Sequence, residues 1–255
     1  MYSILHQLLA DKKGGIVFTC FGPWHLLYLA MIFLSIAALL LWLRGKSVAV
    51  RQRAVDAALN CSFGLYMADF FLMPFAYGAI DLEKLPFHVC TAMCVLCFIA
   101  RRDSRLEKWR LPLAVLALAS NLIYTVYPAG VGWHQVHPLS YRVIQTLLFH
   151  GSMTAYGVLY LACCGQRPSW KKWRQTLPVI VAMTLWAMLG NGLYNGAADG
   201  YDHFFNWFFV VQDPFYLLPA NVAPYVMPFV MVAVMAAAAG LVFIGWSLAQ
   251  KLLKH

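Results

Sequence analysis

Charge is what this chain has least of. Ten acidic and nineteen basic residues stand among 255, 11% charged in all, against 62% hydrophobic. A soluble domain of this length cannot bury that much apolar surface, and a mean hydropathy of +0.67 places the chain in lipid. Also missing are internal repeats, low-complexity tracts and linkers rich in Ser or Pro, so a single integral membrane domain over residues 1–255 is expected. The N-terminal stretch interrupts two modest apolar pieces with Asp11, Lys12, Lys13, Gly14 and Gly15. It therefore lacks the profile of a cleavable signal and reads as an outer amphipathic or re-entrant segment.

The seven cysteines are an odd count and most fall at membrane depth, where they serve as small packing residues. Cys90, Cys94 and Cys97 share one helix face by spacing. Cys94 and Cys97 spell CxxC without a second Cys or His pair at zinc spacing, and His134 and His137 lack an evident third ligand. No metal or other cofactor is expected. Cys163 and Cys164 are either packed or acylated.

What the chain does have is a regular alternation. Helix-length apolar runs end on one side in basic clusters: Arg44, Lys46, Arg51, Arg53; Arg101, Arg102, Arg105, Lys108, Arg110; Arg167, Lys171, Lys172, Arg174; and Lys251, Lys254. These hold 15 of the 19 basic residues; only Lys12, Lys13, Lys84 and Arg142 fall on the other side. Basic residues near span ends stay cytoplasmic, so the pattern predicts an all-α bundle of about seven transmembrane helices, N-terminus outside and C-terminus cytoplasmic. The net charge of +9 lies beside the spans, which points to anionic lipid headgroups and away from nucleic acid. The spans read as Trp24 to Leu43, Ala54 to Phe75, Leu85 to Ala100, Leu111 to Tyr127, Leu139 to Cys163, Leu177 to Tyr194 and Asn221 to Leu248.

Polar groups at membrane depth are costly and mark bundle interiors or cavities. In this topology His25, Asp69, His88, Cys90, Thr91, Asn121, Tyr124, Arg142, Gln145, His150, Asn191, Asn195 and Asp213 all fall in the outer half, or just beyond it. The inner half holds Asp56, Asn60, Ser62 and Thr184. A polar chamber open to the outer leaflet is expected, with His25, Asp69, Arg142, Gln145, Asn191, Asn195 and Asp213 as substrate-binding candidates. Arg142 suits a phosphate or carboxylate clamp, an ion pair with an outer acid such as Asp213, or interfacial snorkelling. Asp69 requires a proton or a cationic partner, for which His25, His88, His150 and Arg142 are available. The segment Gly196 to Pro219, with Phe204, Phe205, Trp207, Phe208, Phe209, Phe215 and Tyr216 and no Lys or Arg, reads as a lid on the outer leaflet.

Four stretches carry a resemblance: Phe21-Gly22-Pro23-Trp24-His25-Leu26; Leu85-Pro86-Phe87-His88-Val89-Cys90-Thr91-Ala92-Met93; His137-Pro138 through Gln145 to Phe149-His150-Gly151; and Gln212-Asp213-Pro214-Phe215-Tyr216. In order and spacing the chain resembles the integral-membrane family of bacterial YwaF-like proteins and eukaryotic transmembrane protein 164. The resemblance implies a multi-span bundle that transfers acyl chains between membrane phospholipids through a Cys acyl intermediate. His88, Thr91 and Met93 match the third-span motif and His150 the fifth-span His. The eukaryotic Cys falls at Phe87, and bacterial relatives look to place theirs at Cys90. The implied catalytic set is therefore Cys90 or Thr91 as nucleophile, with His150 and His88 as the nearby imidazoles, in a bacterial inner membrane. Asn191, Asn195 and Tyr124 are candidate oxyanion donors. The competing expectations are a transporter or solute-binding receptor without chemistry, and an accessory subunit whose polar residues only join its helices. Oligomeric state is not written in the sequence.

Overall fold

The computed structural model describes residues 7, 9–12, 14–77, 82–132, 134–163, 165–195 and 205–252. Trp133, Cys164, Phe204, Lys13 and Lys254 from the sequence reading lie outside them. The chain divides into two compact units, residues 1–81 with 120–165 and residues 82–119 with 166–255. Among the described residues the structure is helical, with α1 Pro23–Leu43, α2 Val48–Tyr77, α3 Val89–Ala100, α4 Arg110–Val126, α5 Tyr141–Cys163, α6 Thr176–Asn195 and α7 Ala223–Leu252. These helices occupy the positions of the seven expected spans. By length and hydropathy four stretches suffice to cross a membrane: Pro23–Leu43, Ser104–Gly132, Trp170–Asn195 and Ala223–Lys251. Of the other three, α3 is short, while α2 and α5 are long enough but carry charged and polar residues.

Two boundaries differ from the sequence reading for local reasons. α2 starts at Val48 and not near Ala54, because the Ser47 hydroxyl caps the Val50 amide (3.4 Å) and no breaker follows. Arg51 and Arg53 thus ride on the helix's first two turns. α3 begins at Val89 and not at Leu85, since Pro86 steers Leu85 away from helical geometry and the Phe87 amide turns back to the Leu85 carbonyl (2.7 Å). Twelve residues remain, about 18 Å of helix.

In the first unit α2 and α5 lie antiparallel along each other. Ser62 meets Ser152 (2.9 Å), the Tyr66 ring meets that of Phe149 (6.2 Å), and Met73 shares an apolar cluster with Tyr141. α1 buries little beyond His25, Ile36 and Leu43 and leaves Leu26, Met31, Leu34 and Leu41 exposed, as a lipid-facing helix does. It reaches α5 where Ile32 lies over Gly151; a Cβ built there would stand 2.9 Å from the Ile32 Cδ1. In the second unit α6 packs on α7, on the turn Trp207–Phe209 and on the short helix Trp170–Arg174.

The α1–α5 approach predicts that Gly151→Val destabilises the protein by about 1–3 kcal/mol, the usual cost of forcing atoms into a packed site. A thermal melt of the detergent-solubilised protein reads it; an unchanged midpoint would show that Ile32 gives way freely.

Candidate functional site

Among the candidate side chains of the first unit, His150 has the most fully defined surroundings. It is buried on α5, and its Nδ1 lies 2.8 Å from Asn121 Oδ1 on the last turns of α4. Asn121 Nδ2 donates to Ser120 Oγ (3.3 Å), which leaves its oxygen as the acceptor facing the imidazole. Nδ1 therefore carries the proton and Nε2 the basic lone pair. The Tyr124 ring stacks on the imidazole at 4.1 Å and Phe149 meets it edge-on at 4.9 Å. One turn further along both helices, the Thr125 and Thr154 hydroxyls stand 3.4 Å apart while donating to the Asn121 and His150 carbonyls. An imidazole held in one orientation by an oxygen acceptor is an arrangement that a general base uses.

His25 has a different part. Fully buried, its Nδ1 accepts from the Phe21 amide (2.9 Å) and its Nε2 donates to the Thr125 carbonyl (3.1 Å). Both ring nitrogens are used, and the bond to Phe21 holds that residue in the left-handed region at φ 62°. His25 thus ties the entry of α1 to the end of α4.

The antiparallel register of α2 and α5 places Asp69 level with Gln145 and Thr146, and all three are buried. Arg142, one turn nearer the helix start, is held by Asp11, whose two carboxylate oxygens each lie 3.1 Å from its Nε. Asp11 is thus the partner found for Arg142, and not the Asp213 suggested from sequence. His134 lies 3.4 Å from Arg142 Nη1, whereas His137 Nδ1 accepts from the Leu139 amide. Among the described residues no three His, Cys, Asp or Glu side chains converge as a metal site.

In the second unit His88 is the N-cap residue of α3, with its carbonyl bonded by the Thr91 hydroxyl (3.1 Å) and its Nδ1 3.4 Å from the Phe208 amide. Cys90, half-buried, lies in the first turn. Phe87 is laid flat on Gly190, where any Cβ would overlap its ring. Trp186 and Trp207 flank it at 4.9 Å and Tyr194 at 6.0 Å. The position at which the resemblance puts a nucleophile in other members is here the centre of an aromatic box.

Asn191 and Asn195, expected to face substrate, bond to backbone. Asn191 Nδ2 donates to the Ala187 and Trp207 carbonyls (2.9 and 3.0 Å) and its oxygen accepts from the Trp207 amide (3.0 Å). Asn195 repeats the reciprocal pair on Phe205 (2.8 and 2.7 Å). The match is geometric: four helix residues advance about 6 Å, and two extended residues about 6.6 Å. The two side chains serve as one edge of a sheet for residues 205–207. Asn206, which the sequence reading passed over, accepts from the Val211 and Gln212 amides at 3.1 Å. Asp213 accepts from those of Phe215, Leu217 and Leu218 at 2.9, 2.7 and 3.0 Å. These amide bonds, that of Phe215 foremost, hold its carboxyl below the usual carboxylate range although burial opposes them. The chain passes through left-handed conformations at Phe208, Phe209 and Tyr216. The Asp213-Pro214 dipeptide was the sequence signal for this turn. The Asn-x-x-x-Asn spacing was the signal for the clamp, readable only once an extended partner is known.

Apolar helices joined by backbone-clamping polar side chains define a multi-span helical membrane protein. Residues 20–247 match the model of the TMEM164 family, and the chain belongs to that family. No curated protein and no solved structure matches it.

Two outcomes follow from the clamp and the turn. Asn191→Ala strands the buried Trp207 amide and carbonyl, each at about 1–3 kcal/mol, so hydrogen exchange at Trp207 and its neighbours should quicken; unaltered protection would refute the clamp. The Asp213 carboxyl, depressed in the folded state, contributes stability above its unfolded pKa that is lost as pH falls through its lower folded value. Amide exchange at Leu217 and Leu218 should therefore rise on acidification below the ordinary carboxylate range, and Asp213→Asn should remove that dependence.

Proposed function

We propose that the protein catalyses acyl transfer from, or hydrolysis of, a membrane phospholipid ester, with His150 as general base. The observation that carries the reading is the 2.8 Å contact of His150 Nδ1 with Asn121 Oδ1, which orients the ring as an Asn orients the His of Cys-His-Asn hydrolases. In the reaction, Nε2 takes the proton of an attacking thiol, hydroxyl or water as that atom bonds to the ester carbonyl carbon. The tetrahedral intermediate then expels the lysolipid alkoxide, which receives the same proton. A thioester or ester on the protein is subsequently opened by water, or by a second lysolipid hydroxyl, in the same manner. The resemblance supplies Cys90 and Thr91 as candidate nucleophiles, and the Thr91 hydroxyl is already donated to the His88 carbonyl. His150 and these candidates belong to different units, so the assignment stands on separate variants. The site would work in a bacterial inner membrane with its basic span ends inward.

The test uses the full chain reconstituted with phospholipid carrying a labelled acyl group. His150→Ala should slow acyl release about 10²-fold or more, the usual worth of a general base. Asn121→Ala should slow it less, with a shifted pH profile. Label trapped on the protein should be released by neutral hydroxylamine if Cys90 carries it, and should be absent from Cys90→Ala. Unchanged turnover in His150→Ala removes the base, and the absence of any acyl turnover in the unaltered protein favours the solute-binding reading around Asp69, Gln145 and Arg142.

A further inference from the structure

A second feature, independent of acyl chemistry, lies at the basic end of the second unit. The segment Gln166 to Arg174 carries Arg167, Lys171, Lys172 and Arg174, and neither residues 165–195 nor residues 221–252 contain an Asp or Glu. Its position is fixed at two points on α7. Gln250 Nε2 donates to the Gln166 carbonyl (2.9 Å), and Trp173 Nε1 donates to the Ala236 carbonyl (3.1 Å). Fourteen residues of helix, about 21 Å, separate those anchors. The basic segment therefore runs back along the second half of a membrane-crossing helix.

Gly240 makes the inner anchor possible, since a Cβ there would already stand 3.4 Å from Trp173 Nε1. An alanine fits at that distance; a branched side chain does not. Trp170 stacks on Trp173 at 4.2 Å and is 68% exposed. The Lys172 ammonium donates to the Arg167 carbonyl (2.7 Å) and so closes the segment on itself. Arg167, Lys171 and Arg174 remain exposed, with no ion-pair partner among the described residues. Beside them Leu241, Ile244 and Leu248 of α7 are also exposed, as lipid-facing residues are.

We infer that this segment is a binding site for an anionic phospholipid of the adjoining leaflet. Arg167, Lys171 and Arg174 hold the phosphate, and the exposed Trp170 ring lies at headgroup level. Three cations on a segment anchored to a membrane-crossing helix, next to an exposed indole, match a charged headgroup. A soluble protein partner would not need the cations placed along a membrane span.

The test is native mass spectrometry of the full-length protein in detergent with equimolar phosphatidylglycerol and phosphatidylcholine. Phosphatidylglycerol should be retained preferentially, and each of Arg167→Gln, Lys171→Gln and Arg174→Gln should weaken its retention about fivefold. The triple variant Arg102→Gln, Arg105→Gln, Lys108→Gln removes equal charge elsewhere and should keep the preference. Gly240→Ile, which displaces Trp173 without altering charge, should lose it. Equal retention of the two lipids, equal loss in the control triple variant, a full preference in Gly240→Ile, or displacement of phosphatidylglycerol by millimolar inorganic phosphate would each overturn the proposal.

Discussion

Every backbone N–H and C=O that leaves a helix in this protein has to be bonded again, because lipid and apolar side chains offer nothing in place of water. Much of the molecule's scarce polarity is used for that purpose. Asn191 and Asn195 supply a ladder edge to residues 205–207, Asn206 and Asp213 collect five further amides, and His25 joins an amide at the start of α1 to a carbonyl near the end of α4. Once those bonds are made, left-handed residues such as Phe21 and Phe208 can persist although their side chains disfavour the conformation. The aromatic box around Phe87 then closes over backbone that is already satisfied.

This constraint explains which parts of the structure were readable from the sequence. Apolar runs and their basic ends located all seven helices, because hydropathy and length act locally. Starts were misplaced where one side chain or one proline decided: Ser47 extended α2 and Pro86 shortened α3. Polar residues were found at the right positions but given the wrong partners. A lone Asn on an apolar helix looks the same whether it faces a substrate or an extended strand, and 3.6-residue periodicity names the face without naming what lies across it. Hence Asn191 and Asn195 read as binding groups, and of the three readings open for Arg142 the ion pair with an acid is the one seen, with Asp11 as the acid.

Within the first unit the same reasoning separates two histidines that the sequence treats alike. His25 has both nitrogens committed to backbone, one to the amide of Phe21 before α1 and one to a carbonyl near the end of α4. His150 instead sets its Nδ1 against a side-chain oxygen, that of Asn121. Asn121 has no proton to take from the ring and adds no charge to favour imidazolium, in contrast to the carboxylate of a Ser-His-Asp triad. The ring is therefore fixed in direction by a neutral partner.

That distinction bears on which chemistry suits the site. A neutral orienting amide, with aromatic rings on two sides, fixes the direction of the His150 ring without placing a charge beside it. Of the two candidates in the first turn of α3, Thr91 also donates its hydroxyl to the His88 carbonyl, a bond it would have to break before attacking. In the proposed acyl transfer, that backbone bond counts against Thr91 as the acyl carrier.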